Sequence, residues 1–243
     1  MMEGAIHVLR PGLLTTVQDL GRWGYQAAGV PVAGPMDTFS HRLANLLVGN
    51  APDAATLEIT LLGPELEFEL PACVAVCGAE FDVTCNGQPL PLSASASIPR
   101  GARLQFGRRT AGARAYLAVH GGVHTRPVLG SRATHLVCGM GGMAGRALVA
   151  GDRLPIAAAP PAATTRRASG VPLPASGRTR LRILAGPQAD WFAPQAASTL
   201  TSVSFRVSPR SNRMGYRLEG PPLNRLRTDE PISEPLAFGA IQV

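Results

Sequence analysis

Four stretches of this 243-residue chain pack turn glycines and prolines around polar side chains that packing alone would not select. Gln18, Asp19, Gly21 and Arg22 fall in one tight loop, and Gly34, Pro35, Met36 and Asp37 in a second that opens onto a helix near Thr38. A helix start offers free N–H groups and the positive end of its dipole, so it draws an anion or is filled by a side-chain carboxylate. Asp37 is therefore suited to a plain N-cap, while Ser40, His41 and Arg42 add a polar face that a cap does not require. Between residues 121 and 152, glycines alternate with Arg126, Ser131, Arg132, Thr134 and His135. Arg210, Arg213 and Arg217 stand beside Asn212 and turn glycines, where guanidinium forks can grip a carboxylate or phosphate; a solvated edge strand is the other reading of that stretch.

Several chemistries are excluded. All 23 basic residues are arginine, so the chain has no P-loop lysine, no Schiff-base lysine and no lysine to carry biotin. ATP or biotin, if used, belongs to another polypeptide. Gly139-Met-Gly141-Gly-Met-Ala144 imitates a dinucleotide fingerprint, but no adequate helix follows before Gly151-Asp152 and no βαβ unit surrounds it. No G-x-S-x-G, H-E-x-x-H or Walker A pattern occurs. His120 and His124 flank glycines and not a helix that would align them on a metal, and no zinc spacing links the four cysteines; no metal is expected. Cys73 and Cys77 fall on one face of a strand by alternation, as small buried thiols. The formal charge of +7 comes from scattered arginines with only 5% aromatic residues, a pattern that argues for a protein partner and against nucleic acid. Neither an export signal nor a membrane span is indicated, so a cytoplasmic location is expected.

These loops need a scaffold, and the scaffold reads as mainly β. TLEITLLGPELEFEL, CVAVCGAEFDV, ARLQFGR, RAYLAVHGGV, TRLRILAG and SVSFRVS are short apolar stretches broken by turn signals. One helix is expected over about 38–48, capped by Asp37 or Thr38, with Leu43, Leu46 and Leu47 facing inward and Gly49-Asn50 closing it. The Ala/Pro/Ser-rich stretch 157–177 reads as a linker or long surface connection between an N-terminal β subdomain, 1–156, and a C-terminal one, 178–243. Each part contains a strand running into Gly-Pro, LEITLLGPELEF and LRILAGPQADWF, which hints at duplicated β-barrel subdomains.

TTVQDLGRWGYQ, GVPVAGPMD with SHRLANLLVGN, VLGSRATHL, GRALVAGD, SPRSNRMGYRLEGPPL and ISEPLAFGAIQV, in this order, resemble the C component of bacterial ATP-dependent 5-oxoprolinase. The wider family, of the allophanate hydrolase subunit 2 type, includes a kinase-inhibitor antagonist and half of the carboxyltransferase region of urea carboxylase. The resemblance implies two β-barrel-like subdomains, one cyclophilin-like, with a few short helices. It implies a companion B component of related fold that, together with the C component, assists the ATP-dependent opening of 5-oxoproline to glutamate, with a separate A component completing the enzyme. The alternatives are a urea carboxylase-like carboxyltransferase component, with biotin on another chain, and a non-catalytic regulatory binding protein. Carried over from the family motifs, Asp37, Arg42 and Arg213 become candidate catalytic residues, with Asp37 suited to orientation or proton transfer. Gln18, Asp19, Arg22, Ser40, Ser131, Arg132, Arg210, Asn212 and Arg217 become the substrate-binding lining, for a small carboxylate or amide. Family members usually continue past ISEPLAFGAIQV with a strand-rich segment holding an Asp-Arg-Gln-Thr-Thr-Gly-Gly-type motif, so the resemblance implies a C-terminally shortened member.

Overall fold

A computed structural model describes residues 3–157, 165–171, 180–228, 236–237 and 239–242. The chain divides into two compact units, Met1–Arg178 and Thr179–Val243. Among the described residues no helix is long and apolar enough to cross a membrane.

The first unit runs β1 (Glu3–Arg10), β2 (Leu14–Gln18), α1 (Thr38–Leu47), β3 (Thr56–Thr60), β4 (Glu65–Phe68), β5 (Ala72–Cys85), β6 (Gln88–Pro89), β7 (Ser95–Ile98), β8 (Arg103–Val119) and β9 (Arg153–Ala157). Nine strands form one sheet in which β2-β3-β8-β4-β1-β9 is a continuous path and β5 pairs with β6, β7 and β8. All these pairings are antiparallel. The sheet curls because β8 pairs with β3 through its C-terminal half and with β4 through its N-terminal half. Alternation then fills the concave side with Ile6, Val8, Leu57, Ile59, Leu66, Phe68, Val74, Val76, Leu104, Leu117, Leu154 and Ile156.

The opposite face of β5 and β8 carries Cys73, Ala75, Cys77, Tyr116 and Ala118, a shallow layer that packs against Ala44, Leu47 and Val48 of α1. Cys73 and Cys77 do share a strand face and are both buried. The helix itself corrects one expectation. Its inward face is Ser40, His41, Ala44, Asn45 and Leu47, whereas Leu43 is half-buried and Leu46 is 53% exposed. The cause lies in the surface beneath, because Thr56, Glu58 and Tyr116 present oxygens there that apolar side chains would leave unpaired.

Residues 120–152 hold no strand, yet they close both ends of the sheet. Thr134 and Leu148 donate backbone N–H groups to Val17 and Thr15 on the outer edge of β2, and His124 donates to Pro155 on the outer edge of β9. Edges that would otherwise recruit other chains are thus occupied. Part of the stretch expected as a linker, 158–164 and 172–177, lies outside the described residues. Its described part is tied to the first unit: Arg166 N–H donates to Ser95 Oγ (2.8 Å), Ser95 N–H to Arg166 O (2.8 Å) and Ala168 N–H to Ser93 O (2.9 Å).

The second unit contains α2 (Gln195–Ser202) and an antiparallel pair of two-residue strands, β10 (Arg206–Val207) and β11 (Leu218–Glu219). Leu181–Gly186, expected as a strand running into Gly-Pro, forms none, so the second half of the proposed internal repeat lacks its strand. The guanidinium groups of Arg225 and Arg227 lie 5.2 and 5.6 Å from the centre of the Trp191 ring, within cation–π range.

Candidate functional site

The loop after β2 is clamped to the glycine-rich segment by buried polar contacts. Asp19 Oδ1 accepts from Gly21 N–H (2.9 Å) and Ser131 Oγ (2.5 Å), while Oδ2 accepts from Arg132 N–H (2.5 Å). Gln18 Nε2 donates to Thr134 O (3.2 Å) and Thr16 Oγ1 (3.0 Å). Arg22 is 1% exposed; its Nη2 donates to Ala133 O and its Nε reaches Val128 O at 3.5 Å. The glycine at 141 is required by this packing, since it has φ +70 and a Cβ there would lie 2.1 Å from Ala133 O and 2.7 Å from Arg22 Nη2. Gln18, Asp19, Arg22, Ser131 and Arg132, far apart in sequence, are thus brought together, and of the five only Arg132 is not fully buried.

The second cluster sits at the start of α1. Asp37 caps the helix: Oδ1 accepts from Ser40 N–H (3.0 Å) and Oδ2 from Ser40 Oγ (2.5 Å). The preceding loop is held from beneath by two residues that no sequence motif singles out. Met36 N–H donates to Glu58 Oε2 (2.9 Å), Asp37 N–H donates to Tyr116 Oη (2.8 Å), and Tyr116 Oη donates to Glu58 Oε2 (2.8 Å). Arg114 Nε lies 3.7 Å from Glu58 Oε1. Burial, followed by the Glu58 charge, pushes the Tyr116 phenol well above its usual range. The available signal for Glu58 and Tyr116 was alternation: Leu57, Ile59 and Leu117 point into the core, so their neighbours emerge under α1.

Deeper under α1, His41 Nδ1 lies 2.9 Å from Thr56 Oγ1 and Nε2 lies 3.4 Å from Asn45 Nδ2, while Thr56 Oγ1 reaches Gln18 O at 3.4 Å. Burial lowers the His41 pKa to about 4, so the ring is neutral at pH 7. Gly78 of β5 is required by the β5–β8 pairing: it has φ +100, and a Cβ there would lie 2.5 Å from Arg114 O, while Ser40 Cβ would be at an ordinary contact distance of 3.4 Å. The β5–β8 register shifts just past Gly78, and a cleft of about 180 Å³ lined by Cys77, Glu80, Ser93 and Ala168 runs along this irregularity. Burial raises the Cys77 pKa to about 12, so it is an inert thiol at neutral pH.

Arg42 projects from the exposed side of α1, away from the Ser40 face. Arg210, Asn212, Arg213 and Arg217 all belong to the β10–β11 hairpin of the second unit. There Ser208 N–H donates to Arg217 O (2.8 Å), Met214 N–H donates to Asn212 Oδ1 (2.8 Å), and Arg210 Nη2 lies 4.0 Å from Glu219 Oε1. Arg210 and Arg217 are exposed and Arg213 is half-buried. His120 and His124 spend a ring nitrogen each on a backbone carbonyl, Val48 O (2.6 Å) and Gly121 O (2.8 Å). Among the described residues no three His, Cys, Asp or Glu side chains converge as metal ligands.

The chain is 38% identical to the C component of 5-oxoprolinase from Escherichia coli (strain K12) over 98% of its own length and 76% of that protein. It is 36% identical to urea amidolyase of Saccharomyces cerevisiae over 89% of its length but 12% of that much larger protein. A crystal structure of TTHA0988 superposes with a TM-score of 0.81 at 39% identity, covering 99% of this chain and 46% of that one, so the chain spans about half the length of that solved protein. A sequence profile described as carboxyltransferase domain, subdomain A and B, matches residues 28–243. With that match and those relatives, the chain belongs to the carboxyltransferase domain family of the subdomain A and B type.

Proposed function

We propose that this chain serves as one component of an ATP-dependent 5-oxoprolinase, helping the companion B and A components open 5-oxoproline to L-glutamate in the cytoplasm. The observation that carries this reading is the 38% identity to a 5-oxoprolinase component over nearly the whole chain. The residues present do not fit a nucleotide: lysine is missing, and the Gly139–Gly145 segment folds as successive tight turns instead of a strand–loop–helix cradle. ATP handling is therefore assigned to a partner, and no step in this chain runs through it.

In this reading each unit offers guanidinium forks of its own for a carboxylate or a phosphorylated intermediate: Arg42 and Arg132 in the first, and Arg210, Arg213 and Arg217, with Asn212, in the second. Asp37 orients the substrate amide or handles its proton, with its carboxylate fixed by the two Ser40 bonds. Gln18, Asp19, Arg22 and Ser131 set the positions of the loops that frame the site. The identity to urea amidolyase favours one second reading, a carboxyltransferase component that works with biotin carried on another chain.

The experiment is co-purification with the companion components, followed by assay of ATP-dependent glutamate formation from 5-oxoproline, with biotin-dependent urea carboxylation run in parallel. Glutamate formation that requires this chain supports the first reading, and carboxylation alone supports the second. Absence of both activities with every partner would overturn this assignment and leave a regulatory binding protein, whereas micromolar ATP binding by the isolated chain in calorimetry would overturn the delegation of nucleotide handling to a partner.

A further inference from the structure

We infer that Glu58 and Tyr116 are positioning residues for Asp37, fixing two successive peptide N–H groups from beneath so that the Asp37 carboxylate is presented in one orientation at the start of α1. The inference rests on the role given to Asp37 above.

Three observations lead to it. Glu58 and Tyr116 are directly opposed in the β3–β8 register, on the face away from the core, and are 1% and 0% exposed. A buried carboxylate is costly unless its oxygens are bonded, and a pair needed only to fill the space under a helix would be better served by apolar side chains. Both donors to Glu58 Oε2 lead to the same short loop: the Met36 N–H directly, and the Asp37 N–H through the Tyr116 hydroxyl. Finally, α1 does not need this support to be capped, because Asp37 already satisfies Ser40 N–H and Ser40 Oγ with its own side chain. What Glu58 and Tyr116 fix is the direction from which the chain enters the helix, and with it the place of Asp37.

Tyr116→Phe isolates this role, since it keeps the ring and its edge-on contact with His41 (centroids 6.0 Å apart) and removes only the hydroxyl. Asp37 N–H then loses its acceptor and Glu58 Oε2 one of its donors. The measurement is a double-mutant cycle in the assembled enzyme, with glutamate formation from 5-oxoproline as readout and Tyr116→Phe, Asp37→Asn and the double variant compared with the parent. Effects that act through one residue are non-additive. Tyr116→Phe should lower kcat by tenfold or more with KM for ATP unchanged, and should add less than a further twofold loss in the Asp37→Asn background. Asn45→Ala serves as a control that weakens α1 without touching the loop; it should lower the melting temperature and leave kcat of the folded enzyme within twofold. If Tyr116→Phe does not fold, Glu58→Gln, which keeps one acceptor oxygen at nearly the same volume, goes through the same cycle with the same expectation.

Turnover within twofold of the parent in Tyr116→Phe, while Asp37→Asn loses activity, overturns the positioning role and leaves the reading of Asp37 intact. Full activity in Asp37→Asn overturns that reading itself. Losses that simply multiply in the double variant place Tyr116 outside any action on Asp37 and also overturn the inference.

Discussion

Replacing Asp19 by Asn tests whether this carboxylate holds the fold or meets a substrate. Its two oxygens take three donors, Gly21 N–H, Ser131 Oγ and Arg132 N–H, at 2.5 to 2.9 Å, and the residue is 8% exposed. In Asp19→Asn the amide oxygen can keep the Gly21 and Ser131 bonds, but the NH2 group then faces Arg132 N–H, donor against donor. A bond to a charged group is worth about 1.5–3 kcal/mol and an orphaned buried donor about 1–3 kcal/mol, so a loss of roughly 2–4 kcal/mol is expected. For a domain of this size each kcal/mol moves the melting temperature by about 2–4 °C, which puts the expected fall at about 5–15 °C. Urea titration and thermal unfolding of both proteins read it directly. A melting temperature within about 2 °C of the parent, combined with a collapse of turnover in the assembled enzyme, would refute this reasoning and place Asp19 on the substrate.

Gly78→Ala should destabilise by at least about 3 kcal/mol in thermal unfolding, because φ +100 and a backbone oxygen 2.5 Å from the new Cβ leave no relaxed position; an unchanged melting curve would sink the account of the close β5–β8 approach at Gly78. His41 titrates near 4 when folded and near 6.5 when unfolded, so the unfolded chain binds the extra proton and stability falls as pH drops from 6.5 to 4, by about 3 kcal/mol in all. The gap in urea stability between parent and His41→Asn should narrow across that window; a gap independent of pH would contradict it. Arg42→Lys and Arg213→Lys should each shift stability by no more than about 1 kcal/mol while costing roughly 2–4 kcal/mol of transition-state stabilisation in the assembled enzyme. Unchanged turnover in both, or loss of folding in either, removes them from the site.

Features written in side-chain alternation were legible in the sequence. Cys73 and Cys77 sit on one strand face, β3 and β4 flank the Gly63-Pro64 turn, and Asp37 caps the expected helix. The orientation of that helix was not legible. The helical spacing of the leucines pointed Leu46 inward, but the surface under α1 is lined by Thr56, Glu58 and Tyr116, and only knowledge of the β3–β8 pairing reveals that His41 and Asn45 belong against it. The work of residues 120–152 was hidden for a different reason. Their edge-closing bonds run through backbone N–H groups of Thr134, Leu148 and His124, and any non-proline residue carries the same donor. Gly141 was visible as a turn residue, but not as the opening that admits the Arg22 guanidinium.

Burial sorts the sequence-derived candidates by what a substitution can report. Gln18, Asp19, Arg22, Ser40 and Ser131 are buried and bonded within the first unit, so any change there perturbs a loop before it perturbs a ligand. A loss of activity at those positions is therefore ambiguous by itself. Asp37, Arg42 and Arg132 are at least partly open, and Arg42 lies on the solvent side of α1, so their substitution can separate turnover from stability. Asp37 is the most informative of the three. Its carboxylate caps the helix, its amide is held by Tyr116, and its backbone carbonyl accepts from His41 N–H (3.1 Å), so the group best suited to proton handling is also the best anchored. An N-cap replaced by Asn retains most of its capping, since Asn and Asp rank alike at that position. Asp37→Asn should therefore fold with little penalty, and whatever activity it loses is attributable to the missing charge and not to a frayed helix.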